Sequence, residues 1–368
     1  MKESREPMAH VRESFKVSWY RCPIAPDQLR ELTKRSDLQG WIQTLGYLLL
    51  LAALGSLTWY LYSVRLWGAM AASLFCYGSV FSFTPGLVTH ELSHGTVFKT
   101  KWLNSFFLRL YSLIGWTHFH QYKRSHTYHH VYTLHTRGDR EVQLPATPSL
   151  HPLRILGYLT LNVQGFGLAL WGTLKLALTG RFWNDWSEDV FANDTAARRQ
   201  AQGWAWLLIL LHAAVITVTV VFRLWLLPVL VTLGPFIASL YTYLVGMPMH
   251  TGLRDNVPDF RLCVRTITLD PFSRFIYWYM NYHTEHHMYA AVPCYNLPRL
   301  AKAIEADMPA PRTLLGAWKE MRMVYKRQKT EPGYQFDTPL PAPRDKTPDP
   351  QDALRASIGD LAPRALAR

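Results

Sequence analysis

Three histidine clusters contain the side chains best suited to bind metal. Together they hold eight of the 15 histidines of the chain. Box one is His90-Glu91-Leu92-Ser93-His94, box two is His126-Thr127-Tyr128-His129-His130, and box three is His283-Thr284-Glu285-His286-His287. Residues three and four positions apart share one face of a helix, so each box can direct two or three imidazoles to one point. Imidazole binds iron, zinc, copper and nickel. A tetrahedral zinc takes about four ligands, so eight imidazoles indicate two metal ions.

Four uncharged segments predict the elements that position these boxes. Residues 41–64 and 66–88 are separated by Arg65, and residues 203–222 and 224–246 by Arg223. Each is long enough to cross a bilayer, which takes about 20 apolar residues as a helix. Box one follows the second segment directly. We therefore expect an all-α integral membrane protein with four transmembrane helices and a cytoplasmic helical cap that carries the boxes.

The remaining segments complete the predicted organisation. Residues 1–40 form a basic cytoplasmic N-terminal segment, with a short surface helix near residues 26–32, and residues 41–328 form the membrane domain. Residues 103–119 and 153–178 are predicted as interfacial or re-entrant helices. A fifth crossing at 153–178 would put box one and box three on opposite sides of the membrane, which excludes a shared metal site. Residues 329–368 are rich in proline and predict a disordered tail.

The charge distribution predicts which side the boxes face. The net charge is +13, and of 39 Lys and Arg residues only Arg65 and Arg223 fall in the loops opposite the boxes. Basic residues concentrate on the cytoplasmic side of membrane proteins, so the boxes are expected there. The N-terminal residues show no apolar leader, and this favours a bacterial inner membrane. The chain lacks the motifs of nucleic-acid-binding proteins. Its four cysteines form no C-x-x-C pair, which argues against a disulfide framework or a thiolate metal site.

The wording, order and spacing of the boxes over about residues 40–310 resemble the membrane fatty acid desaturase and hydroxylase superfamily. The resemblance implies a centre of two iron ions, held almost wholly by histidine, that activates dioxygen and removes hydrogen from an unactivated methylene of a lipid chain. It also implies nine iron ligands, one of which lies between boxes two and three. They are His90, His94, His126, His129, His130, His250, His283, His286 and His287.

The surroundings of these ligands can be predicted less directly. Members that act on acyl-coenzyme A have asparagine four residues before the ligand that corresponds to His250, where this chain has Gly246, and Asn281 cannot be assumed to replace it. The second iron shell and an acyl-coenzyme A substrate are therefore open. Ligating imidazoles usually donate their second N–H to a carboxylate or carbonyl. The candidate carboxylates are Glu91, Asp139, Glu141, Asp255, Asp270 and Glu285. The neighbouring His118, His120 and His135, and His212 within a span, are expected to be structural.

Three other functions are compatible with parts of the pattern. The closest is a lipid or alkyl hydroxylase of the same superfamily, because both reactions begin with the same hydrogen abstraction. A membrane zinc metalloprotease could use the H-E-x-x-H motif of residues 90–94, with Glu91 as general base, but boxes two and three would then have no role. A metal or haem transporter would require several histidines within the spans, where only His212 lies.

The expected partners follow from the reaction. The substrate is a fatty-acyl or other lipid chain in the membrane, dioxygen is the co-substrate, and two electrons must come from outside. Since the chain has no rubredoxin-like or ferredoxin-like cysteine pattern, we expect a separate ferredoxin, rubredoxin or cytochrome b5-like carrier with its reductase. A basic surface would attract an acidic carrier. The residues predicted to form this basic surface of the chain are Lys99, Lys101, Lys123, Arg124, Arg137, Arg140 and Arg299.

Overall fold

The computed structural model describes residues 6–144, 148 and 150–342, and these residues are mostly helical. The α-helices are α1 (Met8–Ser14), α2 (Pro26–Leu32), α3 (Asp37–Ser63), α4 (Trp67–Phe81), α5 (Thr89–His94), α6 (Lys101–Ile114), α7 (Phe119–Tyr132), α8 (Pro152–Leu159), α9 (Val163–Thr179), α10 (Asp185–Val190), α11 (Thr195–Phe222), α12 (Leu227–Val231), α13 (Leu240–Gly246), α14 (Phe260–Cys263), α15 (Pro271–Ile276), α16 (His283–Met288), α17 (Leu297–Ile304) and α18 (Leu314–Gln328). A π-helical turn spans Thr84–Val88, and 3-10 turns span Gly234–Phe236, Met247–Met249, Cys294–Asn296 and Glu305–Asp307. Two short strands, β1 (Ile267–Thr268) and β2 (Arg312–Thr313), pair in parallel.

Three helical segments are long and apolar enough to cross a membrane. They are Asp37–Ser63, Trp67–His94 and Thr195–Phe222, and they correspond to three of the four predicted spans. The second is continuous through α4, the π-helical turn and α5. Ser36 caps the first segment by accepting a hydrogen bond from the Gln39 amide at 3.3 Å. Asp194 caps the third in the same way. The caps satisfy backbone donors that a helix start leaves without partners.

The fourth predicted span differs from the other three. The sequence predicts one continuous crossing over residues 224–246, but the structure divides it into α12, the 3-10 turn at Gly234–Phe236 and α13. Pro228 and Pro235 have no backbone N–H to donate to a continuous helix, and Pro235 lies at the break. The prediction of a continuous helix is therefore wrong, and the count of four spans stays a prediction.

The break is covered by the chain between α8 and α9. The Asn162 amide donates to the Phe236 carbonyl at 2.8 Å, and the Ala238 amide donates to the Thr160 carbonyl at 2.8 Å. Irregular backbone at membrane depth requires such partners, because lipid offers none. The predicted segment 153–178 is thus two helices, α8 and α9, whose connection supplies hydrogen-bond partners at the break between α12 and α13.

The N-terminal and C-terminal segments pack on the helices that carry the histidines. Met8 and Val11 of α1 are buried, as are Leu29 and Leu32 of the predicted surface helix, which is α2. Residues 334–338 fall in the predicted disordered tail, yet they lie against the loop that follows His250. The prediction of disorder is therefore wrong for residues 334–338. Residues 1–5 of the N-terminal segment and 343–368 of the tail lie outside the described residues.

Candidate metal centre

Box one lies at the end of the second apolar segment. Pro85 falls within the π-helical turn that joins α4 to α5. A π-helical turn contains more residues than an α-helical turn, so it changes the direction in which all following side chains point. His90 and His94 share a face because they are four residues apart in α5, and they are buried or half-buried. α5 ends at Gly95, whose φ of +67° is readily adopted by glycine.

The nine predicted histidines converge in two neighbouring groups. Within each group, one ligand atom of every residue lies within 4.8 Å of those of the others. The first group contains His90, His94, His126, His130 and His286. The second contains His129, His250, His283 and His287. Each group takes residues from different boxes, so the first cannot form until α5, α7 and α16 have packed together, and the second requires α7, α16 and the chain around His250.

The spacing of the ring nitrogens fits ligands of one metal ion. The Nε2 atoms of His126 and His130 are 2.9 Å apart, and those of His250 and His283 are 3.0 Å apart. Two nitrogens each about 2.1 Å from a metal and at right angles to each other would be roughly 3.0 Å apart. In addition, the buried Nε2 atoms of His90, His94 and His286 have no hydrogen-bond partner in the described chain. Buried polar atoms are seldom left in this state, so the residues fit a bound metal in each group.

Carboxylates hold the outer nitrogens of several rings. Asp139 Oδ2 lies 2.7 Å from Nδ1 of His129, and Glu141 Oε1 lies 2.8 Å from Nδ1 of His126. Glu91 Oε1 lies 2.9 Å from Nδ1 of the adjacent His90. When Nδ1–H donates to a carboxylate, Nε2 keeps its lone pair and the ring is fixed in orientation. These contacts therefore present Nε2 to the interior of each group.

Two rings are oriented by neutral groups that the sequence does not reveal. The carbonyl oxygen of Cys263 lies 3.0 Å from Nδ1 of His250. Thr133 Oγ1 lies 3.1 Å from Nδ1 of His287 and donates its own proton to the His129 carbonyl at 2.6 Å. The Thr133 oxygen can therefore only accept from His287. A backbone carbonyl and a lone threonine carry no sequence signal for this role.

The other candidate carboxylates do not contact the histidine groups. Glu285 accepts a hydrogen bond from Thr266 Oγ1 at 2.5 Å. Asp270 caps α15, accepting from the Ser273 amide at 3.0 Å. No hydrogen bond joins Asp255 to a histidine of the described chain. The structure thus brings three of the six predicted carboxylates, Glu91, Asp139 and Glu141, to imidazoles.

Burial sets the protonation state of the rings outside the membrane-spanning segments. It lowers the pKa of five imidazoles well below the usual 6.5, so that they are neutral at pH 7. They are His126, His130, His283, His286 and His287. Burial also lowers the pKa of His129, but the Asp139 carboxylate outweighs this effect and raises it overall. A neutral imidazole is the form that binds metal.

The remaining histidines make structural contacts, as expected. His118 Nε2 lies 2.9 Å from Thr173 Oγ1, and His135 Nδ1 lies 3.1 Å from the Tyr132 carbonyl oxygen. His212 stacks on Trp116 with 3.9 Å between ring centroids. His120 stacks on the neighbouring Phe119. None of the four belongs to a group of potential metal ligands in the described chain.

Asn281 is hydrogen-bonded to β1. Its Nδ2 donates to the Ile267 carbonyl at 3.0 Å, and its backbone carbonyl accepts from the Ile267 amide at 2.9 Å. Its side-chain Oδ1 is buried and has no hydrogen-bond partner in the described chain. Both contacts attach it to β1, beside box three. With glycine at position 246, the second group has four imidazoles where the first has five. The open question about the ligands of the second iron therefore concerns one position, because the second group has one imidazole fewer than the first.

Part of the predicted basic surface is already neutralised within the chain. Arg124 pairs with Asp194 at 2.6 Å, Arg137 with Glu6 at 2.6 Å, and Arg140 with Asp189 at 2.9 Å. These three arginines therefore have carboxylate partners within the chain, and their part in attracting a carrier stays a prediction. By contrast, Lys99, Lys101 and Lys123 are exposed and form no ion pair with a described residue.

Comparison with known proteins identifies the family. No curated protein sequence matches the chain significantly. The family model for fatty acid desaturases matches residues 65–317, which is more than half of the chain and includes all nine converging histidines. The resemblance noted in the three boxes is thereby confirmed. The chain belongs to the fatty acid desaturase family.

Proposed function

We propose that this protein is a membrane oxidoreductase that uses dioxygen and a histidine-bound di-iron centre to introduce a double bond into a fatty-acyl or other lipid chain. The observation that carries the proposal is the convergence of nine histidines from four separate parts of the chain into two adjoining groups. The family assignment supports the lipid substrate and the reaction class.

The donor set supports iron in both groups. The first ion would be held by His90, His94, His126, His130 and His286, and the second by His129, His250, His283 and His287. Neutral nitrogen ligands suit iron, whereas carboxylate and water oxygens suit magnesium and calcium. Bound iron would supply the activation of dioxygen that removal of hydrogen from a methylene requires. The overall reaction takes two hydrogens from the chain, two electrons and two protons, and reduces one dioxygen to two waters.

The contribution of the protein residues is orientation and exclusion of water. Asp139, Glu141 and Glu91 fix the rings that they contact, and the buried aromatic residues around box three keep bulk water out. Tyr277 and Trp278, which precede box three, are at most 1% exposed. A dry, rigid environment protects reactive species from side reactions and positions the substrate.

The histidine groups also support four membrane crossings. Box two precedes α11, and box three follows it, yet both contribute to each group. If α11 crosses the membrane, the chain must return before His250, and residues 224–246 are the apolar segment available. We infer that the broken helix makes this return crossing. The excess of basic residues on the side of the boxes supports a cytoplasmic site.

Metal and product analysis would test the proposed function. The purified protein in detergent should contain about two irons per chain, and a His286→Ala, His287→Ala variant should lose them. With a lipid substrate, dioxygen and a reduced ferredoxin, mass spectrometry should show a product two mass units lighter. A product 16 mass units heavier would instead establish a hydroxylase. One zinc per chain that survives the double substitution would contradict the proposal and favour the protease.

A further inference from the structure

His250 is the only histidine of the two groups that lies outside the boxes. It follows the 3-10 turn Met247–Met249 and is not held in a helix. The backbone around it is held instead by Arg265, whose amide donates to the Met249 carbonyl at 2.8 Å. The Arg265 guanidinium Nη1 donates to the carbonyls of Pro248 and, at 3.2 Å, Thr251. One arginine thus fixes the chain on both sides of His250.

Arg265 itself is held by the C-terminal helix. Its side chain is 4% exposed and pairs with Glu320 of α18, with Nε 3.0 Å from Oε1. The second carboxylate oxygen of Glu320 accepts from Arg312 Nε at 2.9 Å. A guanidinium has five donors in a fixed plane, so it can bind a carboxylate and two carbonyls simultaneously. This network connects α18 to the backbone of the His250 loop.

The residues after α18 contact the same loop from another side. The Phe336 amide donates to the Gly252 carbonyl at 2.9 Å, and Arg254 pairs with Asp337 at 3.0 Å. Gly252 has a φ of +78°, a conformation that a side chain at this position would strain. The loop that carries His250 is therefore bounded by two parts of the C-terminal segment.

We propose that residues 318–338, which follow the family match at 65–317, position His250 in the second metal group through Glu320 and Arg265. This inference rests on the proposed function, in which His250 is a ligand. It assigns Glu320 as a positioning residue, since it acts through Arg265 and touches no histidine in the structure. The reason is electrostatic. Removing the carboxylate leaves a buried arginine charge without its partner, and the arginine must move or acquire water.

Two variants and one matched control test this positioning role. Glu320→Gln keeps the size of the side chain but removes its charge. Arg265→Lys keeps the charge but cannot form the same set of hydrogen bonds. Glu331→Gln removes the same charge from an exposed pair with Arg327 near the end of α18. The metal-free full-length protein in detergent is titrated with Co²⁺, and hydrogen exchange is measured on peptides covering residues 247–256 and 283–288.

The wild type and Glu331→Gln should bind two Co²⁺ per chain. Glu320→Gln and Arg265→Lys should keep one Co²⁺ and bind the second at least about tenfold more weakly, the range seen when residues that orient a ligand are changed. Exchange should become faster at residues 247–256 and stay unchanged at 283–288. A His250→Ala variant should weaken the binding of the same Co²⁺ ion.

Other results would overturn the inference or the proposed function separately. Unchanged Co²⁺ binding and unchanged exchange in Glu320→Gln would overturn the positioning role. If Glu320→Gln and Arg265→Lys both bound the two Co²⁺ ions equally weakly, the claim that the positioning role is selective for the second group would be overturned. A wild type that binds fewer than two ions would contradict the di-iron proposal. Exchange at residues 247–256 would then decide the positioning role alone, with faster exchange supporting it and unchanged exchange overturning it.

Discussion

The imidazole ring of His130 lies almost parallel to the ring of His287, with 4.3 Å between their centroids and 16° between their planes. His130 belongs to the first group of potential ligands and His287 to the second. The contact joins box two to box three and makes the two groups immediate neighbours. A substitution of His130 or His287 should therefore affect metal binding in both groups. A substitution away from this ring contact should affect metal binding in its own group alone.

Substitution of His287 should weaken both groups, whereas substitution of His250 should weaken one. His287→Ala removes a potential ligand of the second group and also the ring on which His130 rests. His250 contacts His129, His283 and His287, all of the second group. In Co²⁺ titrations we expect His287→Ala to weaken both ions and His250→Ala only one. Identical titrations for the two variants would contradict this coupling.

Asp139→Asn should weaken metal binding about 10- to 100-fold, the usual effect of removing the partner of a ligating histidine. Both oxygens of Asp139 accept backbone amides, from Leu134 at 2.9 Å and Glu141 at 2.9 Å, in addition to His129. In either orientation of the side chain, the NH2 group of an asparagine at position 139 would face another hydrogen-bond donor. The measurement is Co²⁺ affinity. Asp27→Asn, at a carboxylate whose side chain is 87% exposed, is the control and should bind as the wild type does.

The metal-free protein should lose stability as the pH falls below about 6.5. Burial keeps the pKa values of His126, His130, His283, His286 and His287 well below 6.5 in the folded protein. Between the folded and unfolded pKa values the unfolded chain binds more protons, so acid favours unfolding by up to about 1.4 kcal/mol per pH unit for each group. The stability that these five neutral imidazoles contribute to the folded protein is fully present above pH 6.5 and is lost as the pH falls. A Tm of chelator-treated protein that stays constant from pH 7.5 to 5.5 would contradict this.

Gly78→Ala should destabilise the protein by about 1–3 kcal/mol, the cost of overpacking a tightly packed site. A Cβ atom at Gly78 in α4 would lie 2.6 Å from the carbonyl oxygen of Ile237, beside the break between α12 and α13. Gly68→Ala in the same helix meets no atom within 4 Å and is the matched control. Thermal unfolding in detergent should show a lower Tm for the first variant only. Equal Tm values would mean that α4 and the break do not pack closely.

Lys123→Glu should slow reduction of the protein by a reduced acidic ferredoxin and decrease the dependence of the rate on salt. Lys123 is exposed on α7 and precedes box two by three residues. Like charges slow the encounter of two proteins, and salt screens the effect. Stopped-flow reduction at several ionic strengths gives the rate, and Lys123→Gln should fall between wild type and Lys123→Glu. If neither substitution at Lys123 nor the ionic strength changes the rate of reduction, the carrier does not bind at Lys123.

Arg124→Glu should act mainly on stability instead. Arg124 donates to the Val190 carbonyl at 3.0 Å, pairs with Asp194 and lies over the ring of Phe191 at 4.4 Å. Reversal of its charge places two carboxylates together. A double reversal at positions 123 and 124 would therefore combine slower reduction with a weakened fold, and the single substitutions distinguish the two effects in the measured rate and Tm.

The sequence alone identified the candidate ligand residues and most of the apolar elements. The spacing of box one, H-x-x-x-H, and of boxes two and three, H-x-x-H-H, is a local property of helices, so it predicts which side chains share a face. Three uncharged segments likewise corresponded to long helices. The family could be recognised from these boxes because their order along the chain is itself a sequence feature.

Only the tertiary structure decided how the histidines are divided and held. His129 and His130 are adjacent in one box but belong to different groups, because they project toward different neighbours once the elements that carry the histidines pack. The Cys263 carbonyl that orients His250, and the Glu320–Arg265 pair that holds its loop, join residues distant in sequence and have no local pattern. The break between α12 and α13 has the same origin, since residues 160–162 supply its backbone partners. Such contacts depend on long-range packing, which residue spacing does not encode.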